Sequence, residues 1–142
     1  MLEHGGRLRA AARRYGIALA DWVDLSTGIN PHAYPVPPLA PDVWQRLPET
    51  DDGLEAAAAA FYGSPNLLPV AGSQAAIQAL PGCFPAGRVV TLAPTYAEHP
   101  YAWRDHQVST LPAAQIDTAV GEADTLLLVQ PNNPDGQFFP HE

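Results

Sequence analysis

Lysine is missing from all 142 residues: the seven basic side chains are arginines, at positions 7, 9, 13, 14, 46, 88 and 104. Any reaction that needs a lysine amine has to find it elsewhere. Cysteine is nearly absent too, and a single one, Cys83, excludes an internal disulfide. That removes the stapled class of small secreted domains and points to a reducing cytoplasm. No apolar run approaches the roughly 20 residues of a membrane-crossing helix. The arginines at 7–14 are followed by no apolar stretch of signal length, so a targeting peptide is not expected either. Positive charge is scarce, with fifteen acidic against seven basic residues and a formal charge of −8. Phosphate backbones and anionic lipid surfaces are repelled by such a balance, and no basic stripe with interleaved aromatics offsets it, so neither nucleic acid nor membrane is an expected partner. Histidines 4, 32, 99, 106 and 141 show no close ligand spacing, and no metal site is expected.

What is present describes a loop-rich globular chain. An apolar fraction of 46% with 15% charged residues argues against disorder, while sixteen prolines and eleven glycines demand short elements and many turns. The length suits one ordinary domain. Leu8, Ala11, Ala12 and Tyr15 fall at helical spacing and Gly16 is placed to end that helix. "DWVDLSTGINPHAYPVPPLAP" holds too many prolines for a long regular element and reads as an extended arm. "DDGLEAAAAAFYG" predicts a helix with an Asp N-cap, an apolar face of Leu54, Ala57, Ala58, Phe61 and Tyr62, and Gly63 as its stop. "NLLPVAGSQAAIQALPG" predicts a short strand, a Gly-Ser turn and a helix from Ser73. "RVVTLAP" predicts a buried strand, "TYAEHPYAWRDHQV" a helix with Pro100 in its first turn, "PAAQIDTAV" another helix and "TLLLV" a third strand. Strands alternating with helices imply an α/β fold with a parallel sheet and a ligand site beyond the carboxyl ends of its strands.

Three turns lie on that edge. A helix starting after Gly72 aims unpaired N–H groups and the positive end of its dipole at one point, a cradle for phosphate to which Ser73 can add a hydroxyl. An ordinary turn and N-cap would look the same. Tyr96 follows "APT" at a strand end, where its ring can cover a planar ligand or simply join the core. "VQPNNPDG" pairs two turn-forming dipeptides with a doubled asparagine that turn formation alone does not require. An amide there is a neutral donor suited to a phenolate-like oxygen.

Taken together, "PNNPDG", "AGSQ" and "PTYAE" resemble the signatures of the class I and II aminotransferases, pyridoxal-phosphate enzymes of fold type I. The resemblance implies that Asn133 donates to the cofactor's ring oxygen, that Gly72, Ser73 and Gln74 hold its phosphate, and that Tyr96 stacks on its ring. "EHGG" at 3–6 and "DLSTGINP" at 24–31 further resemble the threonine-phosphate decarboxylase branch, which serves cobalamin biosynthesis. There His4, Gly5, Ser26 and Asn30 are implied to bind the substrate, with His4 and Asn30 near its phosphate. The expected organisation is residues 1–48 as an amino-terminal arm and 49–142 as the first part of the fold-type I large domain, a mostly parallel sheet with helices on both faces. The resemblance also implies a cytoplasmic homodimer acting on a phosphorylated amino acid. Two positions depart from the pattern: Leu47 stands where many relatives have a tyrosine that reaches the cofactor phosphate across a dimer, and Asp135 stands where threonine is usual. The Schiff-base lysine, the aspartate on the pyridine nitrogen and the carboxylate-binding arginine of such enzymes belong to later segments, so the chain is expected to be a truncated enzyme, inactive alone and with no catalytic residue of its own. A histidinol-phosphate aminotransferase, and a non-catalytic module that binds a phosphorylated ligand, are the alternative readings.

Overall fold

The computed structural model describes Leu2 and residues 4–140; Glu3 of the "EHGG" segment, and His141, lie outside the described residues. The chain divides into two compact units, one made of residues 1–30 and 77–142, the other of Pro31–Ala76.

The first unit is organised by β1, Arg88–Leu92, the middle strand of a three-stranded parallel sheet. On one side it pairs with β2, Gln107–Leu111, in the register Val89 to Val108; on the other it pairs with β3, Thr125–Leu127, in the register Val90 to Leu126. Strand side chains alternate between faces, so a central strand covered on both faces reads as a continuous apolar run. "VVTL" does so, and all four residues are buried. On one face Val89 packs with Ile77, Ala102 and Trp103, and on the other Val90 and Leu92 pack with Ile116. Thr91, fully buried, satisfies its hydroxyl by donating to Leu127 O at 2.8 Å.

Four α-helices lie wholly or partly in this unit. α1 is Leu8–Tyr15 and ends on Gly16 in the left-handed conformation, φ +67°. α3, Ser73–Ala79, places Ile77 in the core; α4 is Glu98–Ala102 and α5 is Ile116–Val120. The start of the sheet is pinned by Asp124, whose Oδ2 accepts from Arg88 N at 2.8 Å while its own N–H donates to Arg88 O at 2.9 Å. That approach needs Gly87, because a Cβ there would stand 2.8 Å from Asp124 Oδ2.

Three expectations are corrected. "NLLPV" forms no strand: Gly72 N turns back to donate to Val70 O at 2.7 Å, and no described strand pairs with the segment. Apolar residues alone do not make a strand, which exists only beside a partner. Conversely, β2 takes Gln107 and Val108, the last two residues of the helix expected through "TYAEHPYAWRDHQV". α4 stops at Ala102, His106 N donates to Trp103 O at 2.8 Å to close a turn, and Val108 and Thr110 join β1. Pairing to a buried neighbour outweighs local helix preference there.

The third correction concerns α2, Leu54–Tyr62, in the second unit. Its N-cap is Gly53, at φ +87°, and Asp52 accepts the Leu54 N–H from one residue further back, at 2.9 Å. Gly63 ends the helix in the left-handed conformation as expected. No residue between Pro31 and Ala76 is buried, and Phe61 on α2 is 81% exposed.

Truncating Trp103, 2% exposed, to alanine is expected to cost about 3–5 kcal/mol of stability, whereas Phe61→Ala should stay within about 0.5 kcal/mol. Urea unfolding followed by far-UV circular dichroism compares the two, and equal losses would contradict the placement of the core.

Candidate functional site

The carboxyl ends of β1 and β3 lead into the two turns that carry the sequence motifs. β1 continues through Ala93, whose N–H extends the ladder to Leu111 O at 2.8 Å, into Pro94, Thr95 and Tyr96. Tyr96 is half-buried against the Ile77, Val89 and Trp103 cluster. His99 stands edge-on to its ring, with centroids 6.0 Å apart and planes at 76°.

β3 leads to the doubled asparagine, and the two amides part company. Asn132 turns inward and is 3% exposed. Its Nδ2 donates to Pro94 O at 3.0 Å and to Asp135 Oδ1 at 2.7 Å, and its Oδ1 accepts from Thr95 Oγ1 at 3.1 Å. Its backbone N–H donates to Gln137 O at 2.8 Å and its carbonyl accepts from Gly136 N at 2.7 Å. Asp135 also accepts from Gln137 N at 3.0 Å. The turn is therefore closed on itself and fastened to the β1 exit. Asn133, at the tip, is exposed.

Within this unit the amino-terminal residues meet the Tyr96 turn and α4 through His4. His4 Nε2 lies 2.7 Å from Glu98 Oε1 at the start of α4, and the His4 ring is 6.0 Å from that of Tyr96. Gln78 donates to the other Glu98 oxygen at 3.4 Å. Gly5 lies against Ser26: a Cβ at position 5 would run into Ser26 O, and Gly6 N donates to Ser26 Oγ at 2.8 Å. Asp24 in turn accepts from the Ser26 N–H at 2.9 Å and hydroxyl at 2.6 Å. The "HGG" and "DLS" segments thus form one interlocked feature. Asn30, at the end of that feature, is exposed.

Gly72, Ser73 and Gln74 belong to the second unit. Gly72 adopts φ +80° with nothing within 4 Å of the position of a Cβ, and Ser73 opens α3 with Gln74 behind it, all three exposed. The first unit brings Tyr96 and His4 together. It adds three residues that the motif reading left unassigned, Thr95, Glu98 and Asn132. All three stood inside the quoted motifs, and burial, not residue type, separates Asn132 from Asn133.

Residues 20–142 match the sequence model of the family described as aminotransferase class I and II. The chain belongs to this family. It is 57% identical over 141 residues to the threonine-phosphate decarboxylase of Pseudomonas aeruginosa, a match that covers 98% of this chain and 43% of that protein. To the threonine-phosphate decarboxylase of a Sinorhizobium species it is 40% identical over 141 residues, covering 96% of this chain and 42% of that one. The chain therefore spans less than half the length of these relatives. Mixed helices around a small parallel sheet agree with the α/β class expected of part of a fold-type I enzyme. Among the described residues no helix is long and apolar enough to cross a membrane.

Among the described residues, His99, Asp24 and Asp135 have shifted proton affinities. Burial holds His99 below its ordinary value of 6.5. Hydrogen bonds lower Asp24, chiefly from the Ser26 hydroxyl, and Asp135, chiefly from the Gln137 N–H. For His99 the unfolded chain binds the proton more readily than the folded one, so stability falls as pH drops through about 6.5 and levels off below the folded value. The two aspartates add a second loss at more acid pH, as each is protonated through its depressed folded value. His99→Gln should flatten the first limb of a melting-temperature profile and leave the second. Gly5→Ala should loosen the arm, seen as faster trypsin cleavage at Arg7 and Arg9; an unchanged rate would count against the packing of Gly5 on Ser26.

Proposed function

We propose that these residues are the amino-terminal part of a pyridoxal-phosphate-dependent threonine-phosphate decarboxylase, converting L-threonine O-3-phosphate to aminopropanol phosphate for cobalamin biosynthesis. The observation that carries the reading is 57% identity, along 98% of the chain, to a protein of that name. In the proposed enzyme residues 1–48 are the arm and substrate-phosphate segment, and 49–142 open the cofactor domain. It works in the cytoplasm as a homodimer.

The residues present fit the cofactor. At Gly72 the left-handed turn and the open space about its Cα admit a phosphate at the start of α3, where Ser73 and Gln74 offer N–H groups and polar side chains. Tyr96 has one side on the core and suits the face of a planar ring. Asn133 is an exposed neutral donor on a turn that other residues hold rigid, the character required beside a ring oxygen that carries negative charge. When bound, the cofactor supplies an electron sink for the pair left on the substrate Cα as carbon dioxide departs.

The chain's own residues bind and orient. His4, steadied by Glu98, and Gly5, Ser26 and Asn30 bind the substrate, with His4 and Asn30 near its phosphate, so energy gained at that remote group fixes which Cα bond stands in line for cleavage. The proton transfers and the covalent attachment need an amine that these 142 residues do not contain. The Leu47 side chain carries no hydroxyl, so it is not assigned the cross-dimer phosphate contact that tyrosine makes in many relatives.

Mixed with pyridoxal phosphate, the complete enzyme should develop an absorption band near about 420 nm, while these 142 residues alone should not. With threonine phosphate it should release carbon dioxide and leave no keto acid. Amino transfer to 2-oxoglutarate from histidinol phosphate would favour the aminotransferase instead. A phosphate ligand bound without any cofactor band would favour the non-catalytic module.

A further inference from the structure

The doubled amide divides its labour by burial, and the buried member has no counterpart in the mechanism above. Asn132 uses both ends of its side chain. The Nδ2 group bridges Pro94 O, at 3.0 Å, and Asp135 Oδ1, at 2.7 Å, while Oδ1 takes the Thr95 hydroxyl at 3.1 Å. Pro94 and Thr95 immediately precede Tyr96, and Asp135 lies two residues after Asn133. One side chain therefore ties the turn bearing the ring-face residue to the turn bearing the ring-oxygen residue, across the gap between the ends of β1 and β3.

We propose that Asn132 is a positioning residue that holds Tyr96 and Asn133 in fixed relation, so that a cofactor ring meets its face contact and its oxygen contact as one preorganised surface. The inference rests on the cofactor reading given above. Each end of the amide is matched to its partner: Nδ2 faces a carbonyl and a carboxylate, Oδ1 faces a hydroxyl, and all three are satisfied at 3% exposure. An aspartate at 132 would set a second carboxylate against Asp135. An alanine would leave the Pro94 carbonyl and the Thr95 hydroxyl without this partner, and the two turns would lose their only side-chain tie among the described residues. Asp135 gains a role by the same geometry. Where threonine is usual at that position, this chain places an acceptor that closes the turn through Asn132 and Gln137 N together.

The test uses the full-length enzyme with bound pyridoxal phosphate and three variants, Asn132→Ala, Thr95→Val and Asn133→Ala. Three quantities are read for each: cofactor affinity by absorbance titration, the pH midpoint of the bound cofactor's spectral change, and the melting temperature. Asn133→Ala removes the donor and should move the midpoint upward, because a hydrogen bond to the charged oxygen favours its deprotonated form. If Asn132 positions that donor, Asn132→Ala moves the midpoint the same way and weakens cofactor binding on the order of tenfold. Thr95→Val preserves the volume of the side chain and cuts one hydrogen bond; it should give the same sign with a smaller size, and it carries the test if Asn132→Ala fails to fold. A lower melting temperature with an unmoved midpoint in both variants would overturn the positioning role. Absence of any cofactor band in the wild-type enzyme would overturn the cofactor reading itself, which separates the two failures.

Discussion

β1 has to satisfy its backbone on both edges and its side chains on both faces at once, and most of the first unit follows from that demand. A strand in a parallel sheet pairs only with strands that run the same way, so each neighbour is reached by a crossover through a helix. α4 makes the crossover to β2, and α5 the one that leads on to β3. Val89 and Thr91 face one layer, Val90 and Leu92 the other, and their burial sets where Trp103 and Ile116 have to stand. The parallel arrangement also sends β1 and β3 out of the sheet at the same edge. For that reason the Tyr96 turn and the asparagine turn come to lie beside each other although 36 residues separate Thr95 from Pro131.

That edge is organised by short-range contacts. The inward amide of Asn132 joins the two turns by hydrogen bonds, and Asn133 is exposed at the tip. His4 reaches the same neighbourhood from the amino terminus by its 2.7 Å contact with Glu98, and the arm holds its shape through the Gly5 and Ser26 approach and the Asp24 carboxylate. These contacts run between segments of an acidic chain with few cations, so most of the organising is done by hydrogen bonds and packing. Among the described residues His4 contacts Glu98, and a long, exposed pair joins Arg88 to Asp124.

The second unit behaves differently. Between Pro31 and Ala76 the helix α2 and the approach to Gly72 are formed with no buried residue, so their stability within these residues comes from local terms: alanine-rich helix propensity, the Asp52 contact and two left-handed glycine caps. The exposed apolar side chains there, Phe61, Tyr62 and Leu68 among them, are a larger cost than a finished globule tolerates. They belong with the observation that this chain spans under half the length of its relatives.

How much could be read without coordinates varied with how local the cause was. α1 with its glycine stop, the helix from Ser73, the buried strand "VVTL" and the parallel α/β class were legible, because periodicity and glycine caps act within a few residues of where they appear. The strand proposed at "NLLPV" and the helix proposed through "HQV" were misread for one shared reason, that strand formation depends on a neighbour far away in the chain. The missing lysine, the order of the three motifs and the family resemblance were properties of the sequence by itself, and they sufficed to place the chain in its family. Only the tertiary structure decided which asparagine turns inward, which residue steadies His4, and why Gly5, set against the Ser26 backbone, admits no side chain. Those are questions of which surfaces touch, and a linear pattern carries no record of distance across a sheet.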